Sequence, residues 1–171
     1  MKRHSLRILA FAASLCLLAP PGLPQGADDG SRCEHRFGEL TTLHQRAAES
    51  QSALHERMDR IAARLDALSN SGQWVCAEGE SEGCVRRNPA MTRNHNESTG
   101  LNSAYAAFRA QRRQYNEYLT YFDTVCVKAG HGSWGTGQAP KAWPEQTATE
   151  ENVEIIRDLL SSESEWLQQA Y

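Results

Sequence analysis

Four cysteines, whose type and spacing predict a covalent chemistry, lie in the middle of this chain: Cys33, Cys76, Cys84 and Cys126. None of them forms the C-x-x-C motif of a thiol oxidoreductase or the C-x-x-C-H motif of a haem attachment site. In a small chain exported to an oxidising compartment, cysteines typically form structural disulfides. We therefore expect two disulfides and not a redox site.

The histidines do not have the spacing of a metal site. His35, His44 and His55 share one predicted helix, and the last two are eleven residues apart, which places them about 16 Å apart along the helix axis. The sequence also lacks a Ser-His-Asp order, a paired-carboxylate signature and a nucleophile elbow. It therefore predicts no metal, no cofactor and no enzymatic activity, with an envelope hydrolase as the less favoured alternative.

The N-terminal residues 1–27 have the three parts of a secretion signal. Lys2 and Arg3 give a positive start, and a 12-residue apolar stretch follows from Ile8 to Ala19. As a helix this stretch spans about 18 Å, well short of the ~30 Å hydrocarbon core of a bilayer. We predict a cleaved signal, a periplasmic or secreted single domain over residues 28–171, and no transmembrane segment after cleavage.

The charge of residues 28–171 bears on the class of partner. This part of the chain has 15 basic and 21 acidic residues, a formal net charge of −6. Nucleic-acid-binding domains usually carry a basic stripe that neutralises phosphates. The charge balance therefore argues against a nucleic acid as partner.

Two long helical patterns dominate these residues. Alternating steps of three and four residues connect apolar positions from Cys33 to Leu68 and again from Leu101 to Cys126, which is the period of a coiled-coil seam. Asn70-Ser71-Gly72 predicts the end of the first helix, and Ser98 or Thr99 the start of the second. We expect helices over about 34–70 and 100–128.

A third, C-terminal helix is predicted over 148–169, with Thr147 and Glu150 in the spacing of a capping box. Its apolar seam is widened by Ile155, Leu159 and Trp166, a width that suits packing onto a pair of helices. The fold class that follows is all-α: two long antiparallel helices, a coiled-coil-like pair, and a C-terminal helix, stapled by two disulfides.

Four cysteines permit three pairings. If the long helices are antiparallel, Cys33 at the start of the first meets Cys126 at the end of the second, and Cys76 and Cys84 close their own nine-residue loop. We favour this pairing. The same register places His44 opposite Tyr115.

The register also leaves part of the first helix without a partner. The seam from Leu54 to Leu68 extends beyond the second helix when that helix begins near residue 100. Either the third helix or a second copy of the chain must then cover it. A self-associating coiled coil, with a possible homodimer, is therefore the structural alternative.

The candidate binding surface lies in the Gly- and Pro-rich segment 127–146, which carries Trp134 and Trp143. Large aromatic residues often anchor protein interfaces, and Tyr118 and Tyr121 add exposed aromatic positions on the second helix. Alternatively, both indoles pack onto the bundle as a lid. We predict a protein-binding module whose partner is another envelope protein.

Residues 101–105 (LNSAY) resemble the L-N-x-x-Y segment that opens a helix in a family of periplasmic lysozyme inhibitors. The chain lacks that family's later A-W-x-x-Y-R-D-x-x-C pattern and its cysteine spacing, so no residue role is transferred. The chain is also similar to minor-pilus subunits of type IV secretion systems in its secreted size and its long helical pair. Adaptor, inhibitor and secretion-apparatus component remain as alternative roles.

Overall fold

Three helices make up most of the computed structural model, which describes residues 29–77, 82–134, 140–144 and 148–170. They are α1 (Asp29–Asn70), α2 (Arg87–Phe122) and α3 (Ala148–Gln169). The predicted all-α fold with two long helices and a C-terminal helix is confirmed. The predicted signal segment and the cap residue Thr147 lie outside the described residues.

Helix α1 is long because no proline interrupts it, and it ends where the sequence predicts. Ser71 donates from its backbone N–H and from its hydroxyl to the carbonyl of Leu68, and Gly72 adopts φ +61°. A positive φ is easily reached by glycine and terminates the helix. Two short strands follow, β1 (Val75–Cys76) and β2 (Val85–Arg86), which pair in parallel.

Helix α2 begins at Arg87, so the expected start at Ser98 or Thr99 is wrong by about three helical turns. Pro89 is tolerated because it lies in the first turn, where its missing N–H has no helical acceptor to lose. Gly100 lies inside this helix, and its missing side chain leaves room for the guanidinium of Arg57 on α1. A Cβ at position 100 would be 2.1 Å from Nη1 of Arg57. The polar residues of this stretch form contacts with α1 and α3 that the sequence pattern does not show.

Both predicted disulfides are present, Cys33–Cys126 and Cys76–Cys84. A π-helical turn, Asp123–Val127, continues α2 and carries Cys126. His44 and Tyr115, which the predicted register places opposite each other, have ring centroids 5.3 Å apart. As residue numbers rise along α1, those of the contacting residues fall along α2.

The core has two parts along the bundle. Near the Cys33–Cys126 disulfide, α1 and α2 bury an aromatic-rich cluster that includes Tyr115 and Phe122. Farther along, α3 joins them around Leu54, Ile61 and Phe108.

The extended α2 changes the interpretation of the first seam. Leu54, Met58 and Ile61 are buried against residues of both α2 and α3. The predicted overhang beyond the second helix is therefore wrong, because α2 is longer than expected at its N-terminal end. The homodimer hypothesis loses most of this argument, since only Leu65 and Leu68 at the end of the seam stay partly exposed.

Candidate functional site

Trp143 lies on a short segment, residues 140–144, that crosses the bundle. Its indole stacks on His44 with ring centroids 5.2 Å apart and contacts the edge of Tyr115 at 6.0 Å. Its backbone N–H donates to Oδ1 of Asn116 at 2.8 Å, and its carbonyl accepts from Nδ2 of the same residue at 2.9 Å. Trp143 therefore covers the aromatic core, as in the lid alternative.

The other three predicted binding residues lie near the Cys33–Cys126 disulfide. Trp134 is half-buried and contacts Phe122, with ring centroids 5.0 Å apart. Tyr118 donates its hydroxyl hydrogen to Glu39 and lies 5.7 Å, centroid to centroid, from Tyr121. Of the four predicted binding residues, only Tyr121 is exposed, and the other three are half-buried. The structure thus places both predicted indoles against the bundle and leaves little of them for a partner.

A different apolar surface is exposed at the opposite end of the bundle. The side chains of Trp74, Ile155, Leu159 and Trp166 are 84%, 55%, 45% and 45% exposed. The expectation that Ile155, Leu159 and Trp166 widen a buried face is therefore wrong. Helix α3 buries the row that contains Val153 and Leu160 and turns these three residues outward.

Three of these exposed residues, Trp74, Leu159 and Trp166, border two adjoining grooves near the end of α1 and along α3. Leu65 and Leu68 from α1 face Leu159 and Trp166 across a groove of about 410 Å³. Trp166 also lines the adjoining groove of about 490 Å³ together with Trp74. We call this surface the tryptophan face, and it comprises Leu65, Leu68, Trp74, Ile155, Leu159 and Trp166.

The loop after α1 fixes the backbone that carries Trp74. The carbonyl of Trp74 accepts a hydrogen bond of 2.9 Å from the N–H of Val85, next to the β1–β2 pair. The Cys76–Cys84 disulfide closes the same loop. A large indole is thus held outward by a constrained backbone, which lowers the conformational entropy that a partner must remove on binding.

A cluster of charges around Arg64 holds α3 in place beside this face. Arg64 donates two hydrogen bonds of 2.9 Å to Glu163 on α3. Its single Nε–H is shared between the two carboxylate oxygens of Glu97 on α2, at 2.9 and 3.0 Å, and its Nη2 donates to the same carboxylate. It also donates to Oδ1 of the buried Asn94, whose amide in turn donates to Ser164. One guanidinium therefore links all three helices.

The pKa of Arg64 reflects this environment. Burial opposes the charge of the guanidinium, but the hydrogen bonds and charges of Glu163 and Glu97 outweigh burial and raise the pKa above its ordinary value. Arg64 therefore stays charged. Glu163 is also part of the groove wall beside Leu159 and Trp166, so the charge cluster and the tryptophan face share a residue.

Helix α3 gives the tryptophan face an acidic surrounding. The helix contains six acidic residues and one basic residue. Three of the acids bond to arginines: Glu150 to Arg112, Glu154 to Arg157 and Glu163 to Arg64. The other three are exposed and lie at steps of seven residues: Glu151, Asp158 and Glu165.

A larger groove, about 920 Å³, runs along the outer side of α2. Arg109 and Arg112 line it together with Glu117 and Glu150. Two of its three arginines are engaged within the protein, since Arg112 lies 2.5 Å from Glu150 and Arg109 lies over the ring of Tyr105; Arg113 is the third. Because the lining carries both signs of charge, the groove does not select clearly for an anionic or a cationic ligand.

The sequence analysis did not identify Trp74 as a candidate binding residue, although its position in the sequence indicates exposure. It stands between the helix end at Asn70-Ser71-Gly72 and Cys76, in a segment with few apolar neighbours against which an indole could pack. For α3, the signal is a second apolar row beside the buried one. A short helix that packs on two others buries one side, so a second row is a candidate contact surface.

No known protein family matches the chain, and comparisons with curated proteins and with solved structures found no significant similarity. Within the described ranges, no helix is long and apolar enough to cross a membrane. The same residues contain no group of three or more histidine, cysteine, aspartate or glutamate side chains that could hold a metal ion.

Proposed function

We propose that this protein is a periplasmic or secreted protein-binding module, without catalytic activity, that holds another envelope protein on the tryptophan face. The observation that carries the proposal is the exposure of Trp74, at 84%, beside the exposed apolar row of α3. Contiguous exposed apolar surface typically marks an interaction site, and tryptophan is among the residues that contribute most to binding.

The contrast between the two ends of the bundle supports this location. Trp134 and Trp143 already make ring contacts within the protein, so a partner would gain little apolar burial from them. Trp74 and Trp166 retain much of their surface. Burying a large apolar side chain contributes about 1.5–3 kcal/mol, so the tryptophan face offers the larger gain.

Two features, the disulfides and the N-terminal sequence, support the proposed compartment. Two disulfides fit an oxidising compartment. The apolar stretch Ile8–Ala19 behind a positive start has the composition of an export signal. These features support export to the cell envelope, where the proposed partner also resides.

The test is affinity capture from solubilised envelope with tagged, disulfide-intact protein. We expect a saturable partner that is retained by the unmodified chain and lost with Trp74→Ser/Trp166→Ser. Tyr121→Ser is the matched control, because Tyr121 is an aromatic residue of similar exposure, 43%, at the other end of the bundle.

Each other outcome contradicts a stated part of the proposal. Loss of the partner with Tyr121→Ser, and not with Trp74→Ser/Trp166→Ser, would move the site to the Cys33–Cys126 end. If no version retains a partner, the binding function itself fails. Urea unfolding of all three versions separates lost binding from lost folding. Both variants should stay folded, with only small shifts in midpoint, since Trp74 is 84% exposed and Trp166 and Tyr121 are 45% and 43% exposed.

A further inference from the structure

The exposed row on α3 has the spacing of a coiled-coil seam. Ile155, Leu159, Ser162 and Trp166 follow one another at steps of four, three and four residues, and all four are exposed. Such a row lies along one side of a helix and is the pattern through which two helices pack side by side. The row from Ile155 to Trp166 is about 17 Å long, or three turns.

The exposed acids occupy one flank of this seam. When Leu159 is placed at position a of a heptad, Glu151, Asp158 and Glu165 fall at successive g positions. Residues at g lie beside the seam and face the flanking residues of a partner helix. An incoming helix would therefore meet three carboxylates in a row on this side.

The other flank of the seam is closed by the protein itself. The corresponding e positions are Ile156, which is buried, and Glu163, which is bonded to Arg64. Beyond them, Leu65 and Leu68 of α1 form the far wall of the groove. A docked helix would thus contact apolar residues of both α1 and α3 and would meet exposed charge on one side.

We infer that the occupant of the tryptophan face is an amphipathic helix of the partner, with an apolar seam and lysine or arginine at the flanking positions opposite Glu151, Asp158 and Glu165. This inference rests on the proposed function and specifies its partner. Charge complementarity selects a basic helix, because flanking charges decide which helices pair. If the α3 helix of a second copy packed antiparallel on this one, the acids at the g positions of the two helices would face each other and repel.

The probe is a synthetic amphipathic peptide of about six turns, with leucine at positions a and d and lysine at e and g, labelled for fluorescence anisotropy. A second peptide is identical except for glutamate at e and g. At ~0.15 M salt, we expect the lysine peptide to bind about tenfold more tightly than the glutamate peptide. Each of the three positions exchanges a weak attraction for a weak repulsion, about a factor of two in affinity per position.

Charge reversal provides the decisive variant. Glu151→Lys/Asp158→Lys/Glu165→Lys should reverse the preference in favour of the glutamate peptide. The matched control reverses three exposed acids elsewhere, Glu34→Lys/Glu49→Lys/Glu117→Lys, and has the same change in net charge. In the control, the lysine peptide should still bind more tightly.

Three results would overturn the inference: equal affinity for the two peptides, equal effects of the two triple variants, or no binding of either peptide. Failure with both peptides leaves the capture experiment to decide the proposed function. If Trp74→Ser/Trp166→Ser still abolishes capture, the module binds a partner that is not a basic helix. If nothing is captured either, the proposed function fails as well.

Discussion

Arg64 and Glu163 connect the scaffold of this protein to its exposed surface. The guanidinium donates two hydrogen bonds of 2.9 Å to the carboxylate, and the same glutamate forms part of the groove wall beside Leu159 and Trp166. The interaction that fixes α3 on the bundle therefore also sets the orientation of the tryptophan face.

The first prediction concerns Arg64. Arg64→Met should lower the free energy of unfolding by about 2–4 kcal/mol, because Glu97 and Glu163 are then left partly buried without a counter-charge. Arg60→Met is the control on the same helix, since Arg60 forms an exposed pair with Glu56; it should cost less than about 0.5 kcal/mol. Urea unfolding measures both, and equal losses would contradict the structural role of Arg64.

The second prediction separates the two disulfides. Replacing Cys33 and Cys126 by serine should cost about 4–5 kcal/mol, and replacing Cys76 and Cys84 about 2–3 kcal/mol, because constraint of the unfolded chain grows with loop length. The sequence separations are 93 and 8 residues. Urea midpoints of the two double variants provide the comparison. Equal shifts would show that loop length does not determine the contribution of each bond.

The third prediction contrasts two tryptophans. Trp143→Ala should lower the free energy of unfolding by about 2–3 kcal/mol, since the indole packs on His44 and Tyr115. Trp74→Ala should change it by less than about 0.5 kcal/mol, because the side chain is 84% exposed. Thermal unfolding followed by near-ultraviolet circular dichroism tests both. The opposite ranking would refute the assignment of Trp143 to the core and Trp74 to the surface.

The fourth prediction concerns pH. Burial, followed by the hydrogen bond to Glu39, raises the pKa of Tyr118 from 10.0 to about 12. Because the folded-state pKa is the higher one, the contribution of Tyr118 to stability is complete below pH 10 and is lost as pH rises towards 12. The free energy of unfolding should therefore fall less steeply above pH 10 in Tyr118→Phe than in the unmodified protein. Tyr121→Phe leaves the Tyr118–Glu39 bond in place and removes only the smallest contribution to the raised pKa, that of the Tyr121 hydroxyl, so its slope should lie closer to that of the unmodified protein than to that of Tyr118→Phe. Identical slopes in all three would contradict the pKa shift.

The Cys33–Cys126 pairing shows what a periodic sequence can predict. A seam with strict steps of three and four residues specifies which side of each helix is buried. Once Cys33 and Cys126 are placed at matching ends of two seams, the length of a disulfide allows few other registers. The contact between His44 and Tyr115 follows from the same register.

The start of α2 shows where periodicity fails. Asn94 is 3% exposed. In the sequence, a polar residue at a position where a helical seam would have an apolar one makes the surrounding stretch look irregular, not helical. The burial of Asn94 is favourable because Arg64 and Ser164, from two other helices, satisfy its amide group. The partners lie far away in sequence, so local propensity contains no sign of them.

By itself, the sequence determined the helical periodicity, the helix end at Gly72 and the cysteine positions, because these depend on local backbone preferences and on spacing along the chain. The tertiary structure alone decided which apolar residues stay exposed. Trp74 and Trp143 are the same residue type in similar polar, loop-forming segments, yet one is 84% exposed and the other stacks on His44. Exposure depends on which elements meet in space, and that is set by the packing of all three helices together.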